Sequence, residues 1–152
     1  MKSLKGTPMI RNYTSMVAVE KSITLIERDL VRAGAKHIAK SYHDGKAAGM
    51  MFQLEIDGLP MTFKLPARWQ RVYEKMVKEV RKPRKETFKR VEEQAERTAW
   101  KLLYDQVSVQ VTNILLEQVD AVEVFMPYLY DGKRDKTLYE WQKDRKFKGL
   151  LS

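Results

Sequence analysis

Phe52-Gln-Leu-Glu-Ile-Asp-Gly-Leu-Pro-Met-Thr-Phe-Lys-Leu65 decides the fold. Phe52, Leu54 and Ile56 alternate with Gln53 and Glu55; past Asp57-Gly58, Leu59, Met61, Phe63 and Leu65 alternate with Pro60, Thr62 and Lys64. A period of two marks a strand with one buried face. An Asp-Gly pair between two such runs predicts a two-residue type I′ hairpin, because both central residues need positive φ. That turn sets Ile56 against Leu59, Leu54 against Met61 and Phe52 against Phe63, all on one face. Pro60 has no N–H to offer a further neighbour, so the second strand is predicted to be an edge. The hairpin therefore carries one apolar face that other elements must cover.

Reading outward, His37–His43 is a further strand, joined to the hairpin through a loop at Asp44-Gly45. Upstream, Met16, Val19, Ile23, Ile26 and Leu30 recur at helical steps, with Gly34 where a C-cap glycine belongs. This predicts a helix over residues 17–33. Residues 9–14 read as a short additional strand. Downstream, Pro66 suits the first position of a helix, and Trp69, Val72, Tyr73, Met76, Val77 and Val80 form an apolar stripe that ends at Lys82-Pro83. A long helical segment follows over 85–119. Its second half (Trp100, Leu103, Val107, Val111, Ile114, Leu116) is apolar on more than one side, which points to burial or to pairing with a second copy. The β-branched Val107, Val109, Val111 and Thr112 leave a strand open for 105–119. Thr137-Leu-Tyr-Glu140 is a capping box that starts a last short helix.

The expected class is α+β, with an antiparallel sheet of three or four strands. Helices 17–33 and 66–81 are expected to cover its apolar face. Residues 1–82 would form an α-β-β-β-α core domain, and 83–152 a helical extension packed on it or making a homo-oligomer through the 99–119 helix.

The chain has 152 residues, of which 43% are hydrophobic and 32% charged, so it can bury a core. It contains no cysteine, which excludes disulfides, thiol nucleophiles and thiolate-held metals. No apolar run reaches transmembrane length, and the N-terminal MKSLKGTPMIRNYTS lacks the apolar stretch of a signal peptide. A reducing cytoplasm is the expected setting, without a membrane partner.

The charge is unevenly placed. Lys and Arg outnumber Asp and Glu 29 to 20, a net of +9. Residues 1–63 carry +3, residues 64–90 carry +8, with 11 basic and 3 acidic side chains, and residues 91–152 carry −2. On the 66–81 helix, Arg68, Arg71, Lys75, Lys78 and Lys82 recur every three or four residues opposite the apolar stripe. Arg81, Arg84, Lys85 and Lys89 extend the row past Pro83. Such a row can meet successive phosphates. The competing reading is a solvated face held by the i,i+4 pairs Glu74–Lys78 and Glu86–Arg90. Trp69 and Tyr73 fall on the apolar stripe and are expected in the core, whereas Tyr42 and Tyr13 are the candidates for stacking on bases.

Catalytic chemistry is thinly represented. No Gly-rich phosphate loop, nucleophile elbow or His-Glu-x-x-His motif occurs. His37 and His43 lie six apart on one strand beside Asp44, and a metal there would lack a third anchor, so two surface histidines is the ordinary reading. Glu92, Glu93 and Glu96 read as a solvated helix face, and Asp131 and Asp135 as an exposed loop. Asp105, with Gln106, Gln110 and Asn113, reads as a polar stripe for helix–helix hydrogen bonding. No catalytic residue, metal or cofactor is assigned.

Two resemblances add to this. The order helix, three antiparallel strands, helix across 17–81 is similar in outline to a double-stranded-RNA-binding domain, which contacts phosphates from the start of its second helix. This chain offers only Lys64, Arg68 and Arg71 there, without the family's lysine-rich opening. Over more of the chain, Val19-Glu-Lys-Ser-Ile23, Gly34-Ala35, Phe63-Lys-Leu-Pro66, Arg97-Thr-Ala-Trp100, Val124-Phe-Met-Pro-Tyr128 and Thr137-Leu-Tyr-Glu140 resemble small phage- and prophage-encoded proteins of unassigned activity. That likeness implies action in a bacterial cytoplasm and supplies no catalytic residues. The expected activity is non-enzymatic phosphate binding through the basic face, with DNA or RNA and little base specificity. The alternative is a phage anti-defence protein whose basic face docks on an acidic surface of a host nuclease or CRISPR-type effector.

Overall fold

The computed structural model describes residues 10–150 apart from Pro83. Helix α1 (Val19–Arg32) leads into a three-stranded antiparallel sheet of β1 (Lys36–His43), β2 (Lys46–Ile56) and β3 (Leu59–Pro66). A short helix α2 (Trp69–Val77) and a long helix α3 (Lys85–Leu115) follow. The chain then makes α4 (Ala121–Phe125), a 3-10 turn at Met126–Tyr128, a two-residue-per-strand hairpin of β4 (Tyr130–Asp131) and β5 (Lys136–Thr137), and α5 (Leu138–Asp144). The class is α+β.

The β2–β3 hairpin has the register that its turn dictates: Ile56 opposite Leu59, Leu54 opposite Met61, Phe52 opposite Phe63. Asp57 and Gly58 take φ of 52° and 79°, both in the left-handed region that a type I′ turn needs. The same solution recurs between β1 and β2, where Asp44 and Gly45 take 51° and 77°. β2 is central and β3 is an edge, as Pro60 requires. Gly49 in β2 has a packing reason: a Cβ there would meet the Leu65 carbonyl oxygen at 2.7 Å, so no side chain fits without moving the backbone.

Met50, Phe52 and Leu54 of β2 and Phe63 and Leu65 of β3 are buried in one cluster with Ile23, Ile26 and Leu30 of α1. Trp100, Leu103, Val107 and Val111 of α3 complete it, together with Phe125. Phe52, Phe63 and Phe125 stack pairwise with ring centroids 5.2–6.0 Å apart, in the range where aromatic pairs attract beyond their area burial. Segments 10–82 and 84–150 thus share one core. The expected cover of the sheet is corrected here: α1 and α3 supply it, while α2 packs on α3, and its buried Trp69 and Met76 lie outside the main cluster. Three further expectations change. Residues 11–14 form a turn, with no strand, and Met9 lies outside the described residues. The segment from 105 is helix as far as Leu115, its β-branched side chains tolerated because Val107 and Val111 are buried in tertiary contact. Helix 66–81 is shorter than its stripe, because the chain turns out of the helix after Val77.

The N-terminal turn is strapped along α3. Thr98 donates its hydroxyl to the Asn12 carbonyl at 2.8 Å, and Gln94 donates to the Tyr13 and Ser15 carbonyls. Asp105 accepts from Asn12 at 2.7 Å, Arg11 at 2.9 Å and Lys101 at 2.6 Å. Burial alone would raise the Asp105 pKa, and these three donors more than reverse that, leaving it below the usual carboxylate value. A depressed folded-state pKa contributes stability that is present above the unfolded carboxylate pKa and is lost as pH falls through the folded one. Acid titration of the melting temperature should therefore show a loss of stability below about pH 4 that is blunted in Asp105→Asn. Identical acid limbs in the two proteins would remove the clasp.

Among the described residues no helix is long and apolar enough to cross a membrane.

Candidate functional site

The basic segment runs from the end of β3 through α2 and the non-helical connection into the start of α3. Arg68 immediately precedes α2; Arg71 and Lys75 lie on it, and Lys78 ends it. The row does not run straight into the next helix as its spacing suggested. Lys82 takes a left-handed φ of 51°, and α3 returns alongside α2. Arg84 then stands at the N-cap position of α3 without a side-chain capping bond, while Lys85 and Lys89 fall in its first two turns. The charges therefore follow the chain along α2, through the connection and back into the start of α3.

Arg68, Arg71, Lys75, Lys78, Arg81, Lys82, Arg84, Lys85 and Lys89 are all exposed. Among the described residues none of the nine is in an ion pair. The i,i+4 pairs Glu74–Lys78 and Glu86–Arg90, which would have made this a self-neutralised face, are likewise not formed. Glu79 is engaged elsewhere, accepting from the Tyr13 hydroxyl at 2.9 Å. An excess of like charge along one segment is self-repulsive, a cost that a polyanion relieves on binding. On a helix rising about 1.5 Å per residue, Arg71 to Lys78 spans about 10 Å, comparable with about three phosphates at 3.4 Å per nucleotide of a strand.

The two tyrosines separate. Tyr13 is corrected as a stacking candidate: it is half-buried in the strap, and burial together with the Glu79 hydrogen bond pushes its pKa up to about 12. Tyr42 is free, with 63% of its surface exposed. Trp69 is buried beneath the ammonium of Lys46, 5.2 Å from its ring.

The acidic groups resolve differently from their expected readings. Glu92 and Glu96 bind Lys46 of β2, Glu96 at 2.9 Å, so this cluster is an ion-pair bridge from α3 to the sheet and only Glu93 is fully on the solvated face. Burial alone would lower the Lys46 pKa, and the two carboxylates raise it above its ordinary value. His37 and His43 are exposed and do not share a face by simple alternation. Two register irregularities in β1, between Lys36 and Ala39 and between Ser41 and Tyr42, break the period of two, and His37 sits at φ 55°. His43 meets only Asp44, at 3.3 Å. Among the described residues no three His, Asp or Glu side chains come together as a metal site.

One feature had no local signal in the sequence. The C-terminal unit docks on β3, with Leu129 bridging to Phe63 and the Leu138 amide donating to the Leu129 carbonyl at 2.8 Å. Tyr128, Thr137 and Glu140 are thereby brought beside Lys64 and Arg68, and a cavity of about 290 Å³ opens between them.

Comparison with protein-family models, with curated proteins and with solved structures finds no match for this chain, so its function must be argued from the residues themselves.

Proposed function

We propose that this protein binds nucleic acid through phosphate contacts made by the α2–α3 turn, with little readout of base sequence. One observation carries the reading: nine exposed cations lie along α2, the α2–α3 connection and the first turns of α3, and among the described residues no carboxylate pairs with any of them. Solvated helix faces in a protein of mixed charge ordinarily interleave the two signs. Here Glu79 is engaged by the Tyr13 hydroxyl, and neither Glu74 nor Glu86 forms an ion pair with these cations. The main apolar stripes of α2 and α3 face each other and the core, as buried Trp69, Met76, Trp100, Leu103, Val107 and Val111 show, which leaves the cationic side of α2 turned to solvent. Among the described residues no helix stands free of tertiary packing as a recognition helix would, so affinity would come from counterion release.

Filter binding of mixed-sequence oligonucleotides to the purified protein at two salt concentrations tests this. With about five phosphates engaged, affinity should fall on the order of a hundredfold or more between about 50 and 200 mM salt. Binding that is absent at low salt, or independent of salt, would overturn the reading. In that event an acidic protein surface becomes the partner to seek with the same face.

A further inference from the structure

We propose that the nucleic acid is single-stranded, and that one of its nucleotides leaves the basic turn to place its base against Tyr42 and its phosphate between Lys64 and Arg68. The inference rests on the proposed function and narrows it to a class of ligand.

The cavity beside Arg68 is the reason. At about 290 Å³, it sits at the lower edge of the sizes, about 300–1,000 Å³, at which pockets hold small ligands. Three parts of the chain meet there: the end of β1 with Ser41, Tyr42 and His43, the start of the basic segment with Lys64 and Arg68, and Glu140 of the C-terminal unit. Arg68 belongs at once to the cavity and to the strip, so a chain lying on the strip is led to the mouth.

The lining is divided in charge. Lys64 and Arg68 provide two cations for a phosphate, and Lys64 is steadied by the Tyr130 ring 5.7 Å below its ammonium. Glu140 is the one carboxylate. Its Oε1 accepts from the Thr137 amide at 2.9 Å in the capping box, which fixes the side chain and leaves the second oxygen to accept. A carboxylate repels a phosphate but accepts from the exocyclic amine of a base. Phosphate and base therefore have different partners in the lining.

Tyr42 supplies the stacking surface. The sheet's phenylalanines, Phe52 and Phe63, are wholly buried, whereas Tyr42 exposes 63% of its surface at the cavity rim. An aromatic ring held on a strand at the edge of a cationic groove is the arrangement on which unpaired bases stack. Tyr42 also borders a cavity of about 470 Å³, but there Glu20, Glu27, Glu93 and Glu96 stand against Lys40, Lys46 and Arg97, with Lys46 paired to Glu96, so it offers no net positive charge for a phosphate. In a duplex the bases are stacked and sealed behind the phosphate ridges, so neither the recess nor the ring can be used; a single strand can turn one base out at small cost.

Fluorescence anisotropy with a single-stranded oligonucleotide, and with the duplex of the same sequence and length, tests this at one salt concentration. The wild-type protein should bind the single strand at least about tenfold more tightly. Tyr42→Ala should lose about tenfold on the single strand and leave duplex binding unchanged, and Tyr42→Phe should keep wild-type affinity because the ring remains. Tyr42 lies outside the core, and an unchanged melting temperature certifies both variants. Equal affinity for the two forms, or a Tyr42→Ala protein that holds the single strand undiminished, would overturn the inference while leaving the basic turn as a phosphate-binding surface. Failure to bind either form would overturn the proposed function itself.

Discussion

Replacing Trp100 with alanine is expected to lower the unfolding free energy by about 3–5 kcal/mol. Trp100 is wholly buried in the cluster where α3 lies over the sheet, and its Nε1 donates to the Ala47 carbonyl of β2 at 3.1 Å. The truncation removes the largest fully buried side chain of the fold and leaves a cavity that α1 and the strands, held by their own packing, can close only in part. It also strands a carbonyl that was satisfied by the indole. Trp100→Phe separates these terms: most of the ring volume is kept, and the expected loss shrinks to about 1–3 kcal/mol, the cost of the orphaned acceptor. Urea denaturation followed by circular dichroism measures both, with an unchanged m-value as the sign that the two-state fold is retained. Against a typical total of about 5–15 kcal/mol, the alanine variant should be close to the edge of folding at ordinary temperature. A loss under about 1 kcal/mol would mean that the apolar second half of α3 is not docked on the sheet. A midpoint that rises with protein concentration would instead place that half between two copies of the chain.

What could be read from the sequence was local. The Asp57-Gly58 hairpin declares itself because turn chemistry and a period of two agree over fourteen residues, 52–65, and the register then follows without tertiary information. The capping box at Thr137 and Glu140 is equally local, and both its hydrogen bonds are present. Which helix covers the sheet was not legible. The stripes of helices 66–81 and 85–119 each predict an apolar partner, but periodicity does not say which one; the short connection lets α2 pair with α3, and α3 then brings Trp100, Leu103, Val107 and Val111 to the strands. The strap likewise depends on partners some 80 to 90 residues apart, as between Asn12 and Thr98 or Asp105, and nothing near either end announces them.

The candidate site divides in the same way. Charge counting found the basic segment, because its +8 is a property of consecutive residues. It could not show whether Glu74, Glu79 and Glu86 would neutralise the cations, since that depends on where the chain turns. The bend at Lys82 turns the chain back so that α3 packs on α2, and Glu79 is engaged by Tyr13 and not by the neighbouring cations. Tyr13 and Tyr42 were indistinguishable as sequence and are opposite in structure, one hydrogen-bonded within the strap and one exposed. The cavity beside Arg68 needed β1, β3 and α5 to converge, and only the docking of Leu129 on β3 makes that happen.

Changing Arg68, Arg71, Lys75, Lys78 and Arg81 together to glutamate is expected to abolish oligonucleotide binding, a loss of at least about a hundredfold near physiological salt. Each engaged cation contributes about 0.7 to 0.9 to the slope of log affinity against log salt. Removing five of the nine should reduce the slope by about 3.5 to 4.5, and reversing them adds repulsion to whatever affinity the remaining cations retain. Stepwise changes to alanine should lower the slope by about one unit per residue, uniformly across sequences. The fold should tolerate the change. All five side chains are exposed and, among the described residues, unpaired, so no ion pair is broken, and exposed substitutions of this kind stay within about 0.5 kcal/mol each. Arg71→Glu places an acid in the first turn of α2, where none stands now and where the helix dipole favours one. Lys78→Glu at the other end is mildly unfavourable, both for the dipole and for its like-charge spacing from Glu74, at about 0.3 kcal/mol. Circular dichroism and the melting temperature separate loss of binding from loss of structure. A five-fold variant that is folded and binds with wild-type affinity and salt slope would show that the turn is an ordinary solvated surface, whatever its charge.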